Sequence, residues 1–296
     1  MSRAEKAEIR IHHDADLFRD AVRFTAEASG FAPRLVEKDY FCTVLLAYMS
    51  TAAGDDLVFK GGTCLAKVHS ELYRLSEDLD YTIAVPVDAP RTQRSKRVEG
   101  VRKALNDLKR AIPIFRMADA LKGANKSTQY LAVVSYDSLL SQQPETIKIE
   151  VSLREPLLTP AVTGKAQTLL LNPLTNSPMV APIGVRSIDK AEALAEKFRA
   201  ALSRREPAIR DFFDIDYAVQ KDGLQPEAVE FVDQVREKLA IPGNDHVDIS
   251  DRRLAELRWQ VEPQLRPVLR DRDFAEFELD RAIGLGVTIA KAIEGR

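Results

Sequence analysis

Two aspartates separated by one residue, Asp78 and Asp80, are the side chains in this sequence whose spacing most directly predicts chemistry. The alternating segment DLDYTIAV predicts a strand that places both carboxylates on one face, about 7 Å apart, where they can bind the same divalent cation. A third acidic residue, Glu150, lies on the polar side of a second predicted strand, IKIEVSLR. Three such carboxylates can position two magnesium ions for an in-line attack at phosphorus.

The residues ahead of this pair can bind phosphate. Gly61 and Gly62 follow a short predicted strand, LVFK, and precede a predicted helix. A turn without side chains lets backbone N–H groups approach phosphate oxygens, and the positive end of the helix faces them. Thr63 adds a hydroxyl donor and can cap the helix, and Lys67, one turn further on, can neutralise phosphate charge.

Each of these features has a more common structural explanation. A Gly-Gly pair after a strand usually forms only a tight turn, and an Asp-x-Asp sequence usually marks a polar strand face or loop. Glu150 fits plain solvent-facing alternation, and Lys67 fits a solvated helix surface. The order of the features favours function: strand, Gly-Gly-Thr, helix, Arg74, Ser76, the aspartate pair, and then an acidic strand.

Several elements must position these groups. Helical spacing within residues 14–53 predicts two helices that break between Gly30 and Pro33. Five prolines fall within residues 156–187, which predicts extended or looped chain and a boundary there. The remainder is mostly helical, with four or more helices. We therefore predict a domain at residues 1–187 and a helical C-terminal domain at residues 188–296, with Trp259 in the core.

Composition excludes several classes of protein. Two cysteines without a CxxC spacing and four histidines without zinc-ligand spacing argue against a disulfide scaffold or a structural zinc site. The longest apolar run, FCTVLLAYM, is about half the length of a membrane span, and no N-terminal signal pattern is present. We expect a cytoplasmic protein without a membrane partner.

One segment is strongly basic although the whole chain carries a net charge of -2. Residues 91–110 contain eight basic and two acidic side chains, a net charge of +6. A local basic surface of this kind suits a polyanionic partner such as nucleic acid. A solvated helix explains the same pattern almost equally well.

GGTCLAK followed by RLSEDLDY resembles the nucleotidyltransferase superfamily, and in particular the AbiEii/AbiGii-type toxin family that includes the MenT toxins. The resemblance extends to LVEKDYFCTVLLAYM upstream and to EKFRAALSRREPAIRDFFDIDYAV downstream, so it covers roughly residues 35–219. It implies an α+β fold with a mixed sheet of the polymerase-β type and a helical C-terminal region.

The resemblance also implies roles for individual residues. Asp78 and Asp80 would be catalytic and bind magnesium as two ions in the family's manner, with Glu150 as a third ligand at a position where many relatives have aspartate. Lys197 and Asp211 would complete the catalytic set, with the aspartate orienting the basic groups. The predicted nucleotide-binding residues are Gly61, Gly62, Thr63, Lys67, Ser76, Lys148 and Arg204. Without the resemblance, the seven-residue spacing of Lys197, Arg204 and Asp211 predicts only a salt-bridged helix face, split where Pro207 interrupts it.

By the same resemblance, the protein is expected to be the toxin of a toxin–antitoxin pair, with its antitoxin encoded nearby. It would use an NTP as substrate and transfer the NMP to an acceptor, with the 3′ end of tRNA favoured, and so block translation. Two alternatives remain open at this stage. The acceptor can instead be a protein or a small molecule, or the chain can be a catalytically inactive regulator that binds nucleic acid.

Overall fold

The computed structural model describes residues 9–294. Its centre is a seven-stranded mixed sheet, in which the strands lie in the order β3-β4-β5-β2-β1-β7-β6. Their bounds are β1 Val58–Lys60, β2 Leu79–Thr82, β3 Arg116–Ala124, β4 Gln129–Asp137, β5 Pro144–Ser152, β6 Val162–Ala166 and β7 Ile183–Ser187. The central strands β1 and β2 are antiparallel, whereas β2 pairs with β5 and β1 with β7 in parallel.

Helices surround this sheet and make up the C-terminal third of the chain. The longer helices are α1 Ala15–Ser29, α2 Pro33–Ala52, α4 Arg91–Arg97, α5 Glu99–Ala111, α6 Lys190–Ser203, α7 Ile209–Gln220, α8 Val229–Ala240, α9 Asp251–Gln260, α10 Asp271–Glu276 and α11 Leu279–Glu294. A single turn, α3 Gly61–Cys64, follows β1 and continues as a wider π-helical turn over Leu65–His69. The predicted α+β class with a mixed sheet and a helical C-terminal region is confirmed.

Alternation along β5 determines how that strand sits in the sheet. Ile147, Ile149, Val151 and Leu153 are completely buried, as their spacing predicts. The intervening side chains, including Glu150, therefore project from the opposite face. Packing of the apolar side fixes the register of the polar side, because a slip by one residue would exchange the two faces.

The proline-rich segment contains more regular structure than the sequence predicts. Both β6 and β7 lie within residues 156–187, and β7 pairs directly with the central strand β1. The last strand ends at Ser187 and α6 begins at Lys190, close to the predicted boundary. The division into two domains at that point stays a prediction.

Trp259 is not a core residue. It lies on α9 with 80% of its surface exposed, so the expectation that it packs inside the protein is wrong. Leu257, two residues earlier, is the completely buried residue of this helix. Among the helices of residues 9–294, none is long and apolar enough to cross a membrane.

Candidate active site

Three central strands present a row of charged residues on one face of the sheet. Asp80 on β2 lies directly opposite Glu150 on β5, and Lys60 on β1 lies directly opposite Asp80. Directly paired residues on neighbouring strands project from the same face. The predicted convergence of carboxylates from two strands is therefore present for Asp80 and Glu150.

This row lies in a cleft with a volume of about 310 Å³ between the sheet and α6. Six residues predicted from the sequence line it: Gly61, Asp80, Glu150, Lys197, Arg204 and Asp211. They come from three separate regions of the sequence, residues 61–80, residue 150 and residues 197–211, and the fold brings them to one cavity. The other lining residues include Lys60, Asn125, Gln129, Arg154, Glu196 and Arg199.

Side chains of neighbouring residues leave no room for a Cβ atom at Gly61 or Gly62. Gly61 has a φ of +77°, a conformation that a side chain rarely adopts, and a Cβ there would overlap the carboxylate of Asp80. A Cβ at Gly62 would overlap the guanidinium of Arg74. The Gly-Gly turn thus lets the backbone at Gly61 pass close to a predicted metal ligand.

Thr63 does not cap the helix. The helical turn already begins at Gly61, and Lys60 occupies the position before it without a capping side chain. The Thr63 hydroxyl instead donates a hydrogen bond to the main-chain carbonyl of Asp78, and Thr63 is almost completely buried. The capping prediction is wrong because the helix begins three residues earlier than expected, but Thr63 does fix the chain where the aspartate pair begins.

Lys67 lies inside the protein and does not line the cleft. Its side chain is buried and forms an ion pair with Asp39 of α2. The ammonium also donates to the Thr43 hydroxyl at 2.8 Å and to the Gln167 carbonyl at 3.3 Å. The structure therefore places this predicted phosphate ligand in a contact between α2 and the segment before β7.

Three further predicted residues, Ser76, Asp78 and Lys148, are not among those that line the cleft. Ser76 is half-buried, with its hydroxyl next to Gly62. Asp78 is half-buried just before β2, and burial raises the pKa of its carboxyl group. Lys148 forms an ion pair with Glu150 at 3.2 Å. Glu150 thus already has a basic partner, which Asp80 lacks among the ion pairs of residues 9–294.

On the opposite wall, a lysine, an arginine and two aspartates form a network. Lys197 Nζ lies 2.8 Å from Asp211 and 2.9 Å from Asp214, and Arg204 Nη1 lies 3.3 Å from the second oxygen of Asp211. Helix α6 ends at Ser203 and α7 begins at Ile209, so the break near Pro207 is confirmed. Asp211 contacts both predicted phosphate-binding cations, which is the contact that an orienting role requires.

Asp214 also has partners from a distant segment of the sequence, Tyr73 and Arg74. Arg74 donates to both of its oxygens, at 2.5 and 2.8 Å, and the Tyr73 hydroxyl donates to one of them. Burial alone would raise the pKa of Asp214, but Arg74 and Lys197 hold that pKa well below its ordinary value. The Asp214 carboxylate is therefore ionised, and its ion pair with Lys197 fixes the position of that lysine.

Asp80 has the opposite electrostatic surroundings. Burial, followed by repulsion from Glu150 and Asp78, raises the pKa of Asp80 from 3.8 to about 6. The attraction from Lys60 and Lys197 does not outweigh these effects. An added cation would relieve this repulsion, so the electrostatics of the cleft favour a positive ligand beside Asp80.

The chemistry of the donors fits magnesium, which prefers carboxylate oxygens and retains several waters. Asp80 on β2 supplies one such carboxylate, and Asp78, just before that strand, supplies a second. Within residues 9–294, no group of three His, Cys, Asp or Glu side chains is already arranged to hold a metal ion. Two carboxylates are nevertheless compatible with magnesium, because that ion is commonly held by one or two carboxylates together with substrate phosphates.

Sequence reasoning missed several residues of the cleft. Lys60 could have been found from its place directly before Gly61 at the end of β1. Arg154 continues the alternation of Glu150 and Ser152 beyond the end of the strand. The sequence could therefore have predicted that Arg154 lies on the same face of the sheet as Glu150. Glu196 and Arg199 carried no signal of their own, because their partners Lys60 and Asn244 are distant in the sequence.

Comparison with known proteins gives a family and a fold. The profile of the family described as nucleotidyl transferase AbiEii toxin, type IV TA system, matches residues 44–282. The crystal structure of JHP933 from Helicobacter pylori is similar, with a TM-score of 0.53 and 16% identity, over 90% of this chain and 94% of that chain. MenT4, a nucleotidyltransferase toxin from Mycobacterium tuberculosis, has a TM-score of 0.43 and 19% identity over 94% and 98% of the two chains. No match was found among curated proteins.

Proposed function

The chain belongs to the AbiEii nucleotidyl transferase toxin family of type IV toxin–antitoxin systems, and we propose that it transfers an NMP from an NTP to the 3′ end of tRNA. Nucleotides added there would prevent aminoacylation and so block translation. Membership in a toxin–antitoxin family implies a cognate antitoxin, which we expect to be encoded nearby. A reaction that uses NTPs and tRNA would take place in the cytoplasm.

One observation carries this proposal. Asp80, Glu150 and Gly61 lie on one side of a single cleft, and Lys197 and Arg204 lie on the other. Carboxylates that can hold a hard cation thus face basic groups that can hold phosphates across about 310 Å³ of space. Phosphoryl and nucleotidyl transfer depend on this combination of positioning and charge stabilisation.

Each wall contributes differently to the reaction. Asp78 and Asp80 would hold magnesium, as two ions, and the metal would stabilise charge developing on the phosphate oxygens. Lys197 and Arg204 would bind the triphosphate. The carboxylates of Asp211 and Asp214 fix the lysine, and the attractions from both raise the pKa of Lys197 although burial opposes them, so it stays charged.

The acceptor is proposed from the basic surface formed by α4 and α5. Its exposed cations include Arg91, Lys96, Arg97, Lys103, Lys109 and Arg110. Helix α4 contacts the turn Asn125–Ser127, and Asn125 lines the cleft. The basic surface therefore reaches the rim of the site, where a polyanion bound to it could present its end.

The function is tested by incubating the protein with magnesium, total tRNA and each α-labelled NTP in turn. The proposal predicts label in the tRNA band, absent when the tRNA 3′ end has been oxidised with periodate. Label in protein or in a small molecule instead would favour the other acceptors. A protein that neither labels an acceptor nor binds an NTP would favour the inactive regulator.

The acceptor surface has its own test. Charge reversal at Lys96 and Lys103, which form no ion pair within residues 9–294, should weaken tRNA binding and make its dependence on salt shallower, because fewer counterions are then released from the RNA. Binding of NTP should not change. Lys291→Glu on α11 changes one exposed charge far from this surface and serves as the control. Equal tRNA affinity in all three variants would show that the basic helices do not bind the acceptor.

A further inference from the structure

Two arginines line the cleft beyond the predicted site residues. Arg154 follows the end of β5, and Arg199 lies on α6, two residues after Lys197. Both side chains are half-buried. The sequence analysis gave neither a role, although Arg199 lies within the downstream segment that carries the family resemblance.

These two guanidinium groups have neutral hydrogen-bond partners. Arg154 Nη2 donates to Asn244 Oδ1 at 2.7 Å and to the Ile241 carbonyl at 3.4 Å. Arg199 Nη1 approaches the same Asn244 oxygen at 3.5 Å. Over residues 9–294 neither arginine forms an ion pair, whereas Lys60, Lys197 and Arg204 in the same cleft all do.

The nearest carboxylates are engaged elsewhere. Glu196 accepts from Lys60 at 2.8 Å and lies 3.2 Å from Lys238. Glu155 lies 3.4 Å from the same buried Lys238 ammonium. The acidic groups close to Arg154 are thus shared with lysines.

Holding two guanidinium groups together has an electrostatic cost, because arginine stays protonated in proteins. Burial and then repulsion from Arg199 lower the pKa of Arg154, which shows that the two charges interact. Such an arrangement is stabilised when an anion binds between the charges. Arginine pairs suit phosphate in particular, since their planar donors match its oxygens.

Asn244 holds this pair in place without cancelling its charge. Its Nδ2 donates to the carbonyls of Lys238 and Leu239 at the end of α8, at 2.7 and 3.0 Å. The amide oxygen is thereby directed at Arg154. A carboxylate at this position would have formed an ion pair, whereas the amide orients the guanidinium and leaves it positively charged.

We propose that Arg154 and Arg199, positioned by Asn244, form a phosphate-binding subsite of the cleft. The phosphate would come either from the β and γ positions of the NTP or from the backbone of the acceptor, and the inference rests on the proposed function only in naming these two sources. Bound phosphate would provide the negatively charged partner that this arginine pair does not have among residues 9–294.

The test measures binding of inorganic pyrophosphate, NTP and tRNA by calorimetry to the wild type, Arg154→Gln and Arg199→Gln. Arg116→Gln is the matched control, because Arg116 is an exposed arginine paired with Asp137 outside the cleft. If the NTP is the source, both cleft variants should lose about tenfold or more in affinity for pyrophosphate and NTP, as expected for charge-assisted hydrogen bonds. If the acceptor is the source, the same loss should be found for tRNA alone.

Asn244→Asp tests the same subsite while keeping both arginines. The new carboxylate would pair with Arg154, so phosphate affinity should fall although no cation has been removed. Thermal melting identifies any variant that has merely lost its fold.

Unchanged affinity for all three ligands in the folded arginine variants would overturn the inference. If such variants still transferred NMP to tRNA, the proposed function would stand. If the wild-type protein binds phosphate but transfers no NMP to tRNA, this result would instead count against the proposed function.

Discussion

Asp80 and Asp214 are the same residue type near the same cleft, yet their surroundings differ in sign. Asp214 is buried among Arg74, Lys197 and Tyr73, which lower the pKa of its carboxyl group. Asp80 faces Glu150 and Asp78, and its pKa is raised to about 6. The charge of the Asp214 carboxylate is thus compensated by neighbouring cations, whereas that of the Asp80 carboxylate is not.

This difference separates a structural role from a catalytic one. A buried carboxylate with several donors stabilises the arrangement of those donors, and removing it leaves them unpaired. A carboxylate crowded by other carboxylates costs stability in the free protein. Such a cost is expected where a cation binds, because functional sites concentrate perturbed pKa values.

The largest expected effect is on catalysis at Asp80. Asp80→Asn should reduce NMP transfer by about 1,000-fold or more, because the predicted metal ligand loses its charge. Its thermal stability should equal or exceed that of the wild type, since the substitution removes a repelled charge. Comparing label transfer and melting temperature checks both parts, and a stable variant with nearly full activity would remove Asp80 from the catalytic set.

Substitution at Asp214 should have the reverse pattern. Asp214→Asn leaves the buried Arg74 guanidinium without a carboxylate, and the free energy of unfolding should fall by about 3–5 kcal/mol. Urea denaturation measures this loss. A double variant, Arg74→Leu with Asp214→Leu, should recover part of it, because no buried charge is then left unpaired. Equal stability of Asp214→Asn and the wild type would contradict the structural role.

The pH dependence of stability should also distinguish the two groups. Since the folded-state pKa of Asp80 is raised above 3.8 to about 6, the folded chain holds a proton between these values that the unfolded chain releases. The contribution of Asp80 to stability is therefore lost as pH rises from about 4 to 6. In EDTA, the stability of the wild type relative to Asp80→Asn should fall over this range, and a constant difference would show that Asp80 is not perturbed.

The smallest effect is expected at Lys148. Its ion pair with Glu150 is partly exposed, with 45% and 26% of the two side chains accessible. Lys148→Gln should change the free energy of unfolding by less than about 1 kcal/mol. Lys197→Gln, which removes a cation that is only 14% exposed and lies between two aspartates, is the matched comparison and should cost more. Equal losses in the two variants would show that the two walls of the cleft do not differ in this way.

The parts of the site predicted from sequence are those that short-range periodicity controls. Alternation placed Glu150 opposite the buried face of β5, and the cross-strand pairing puts Asp80 directly beside it, whereas Asp78 lies just before β2. Pro207 correctly indicated the break between α6 and α7. The resemblance to a family then connected residues 61–80 and Glu150 with residues 197–211, and the cleft is lined by residues from all of these regions.

The parts that were missed depend on contacts between distant segments. Helical spacing did not show that Lys67 faces inward, because its partner Asp39 lies 28 positions earlier. Nothing local linked Arg154 to Asn244, 90 positions away. Strand β3 lies at the edge of the sheet with mostly exposed residues, so it lacks the apolar alternation that identifies a strand. Trp259 was misplaced because a large apolar residue on a helix is usually buried.

The most direct test is a calorimetric titration of magnesium into the wild type and Asp80→Asn at pH 7, with an NTP analogue whose α,β bond cannot be cleaved. The account predicts that the wild type binds magnesium and that Asp80→Asn, although folded, binds it much more weakly. Equal magnesium affinity in the two proteins would contradict the claim that the cleft leaves Asp80 uncompensated in order to bind a cation.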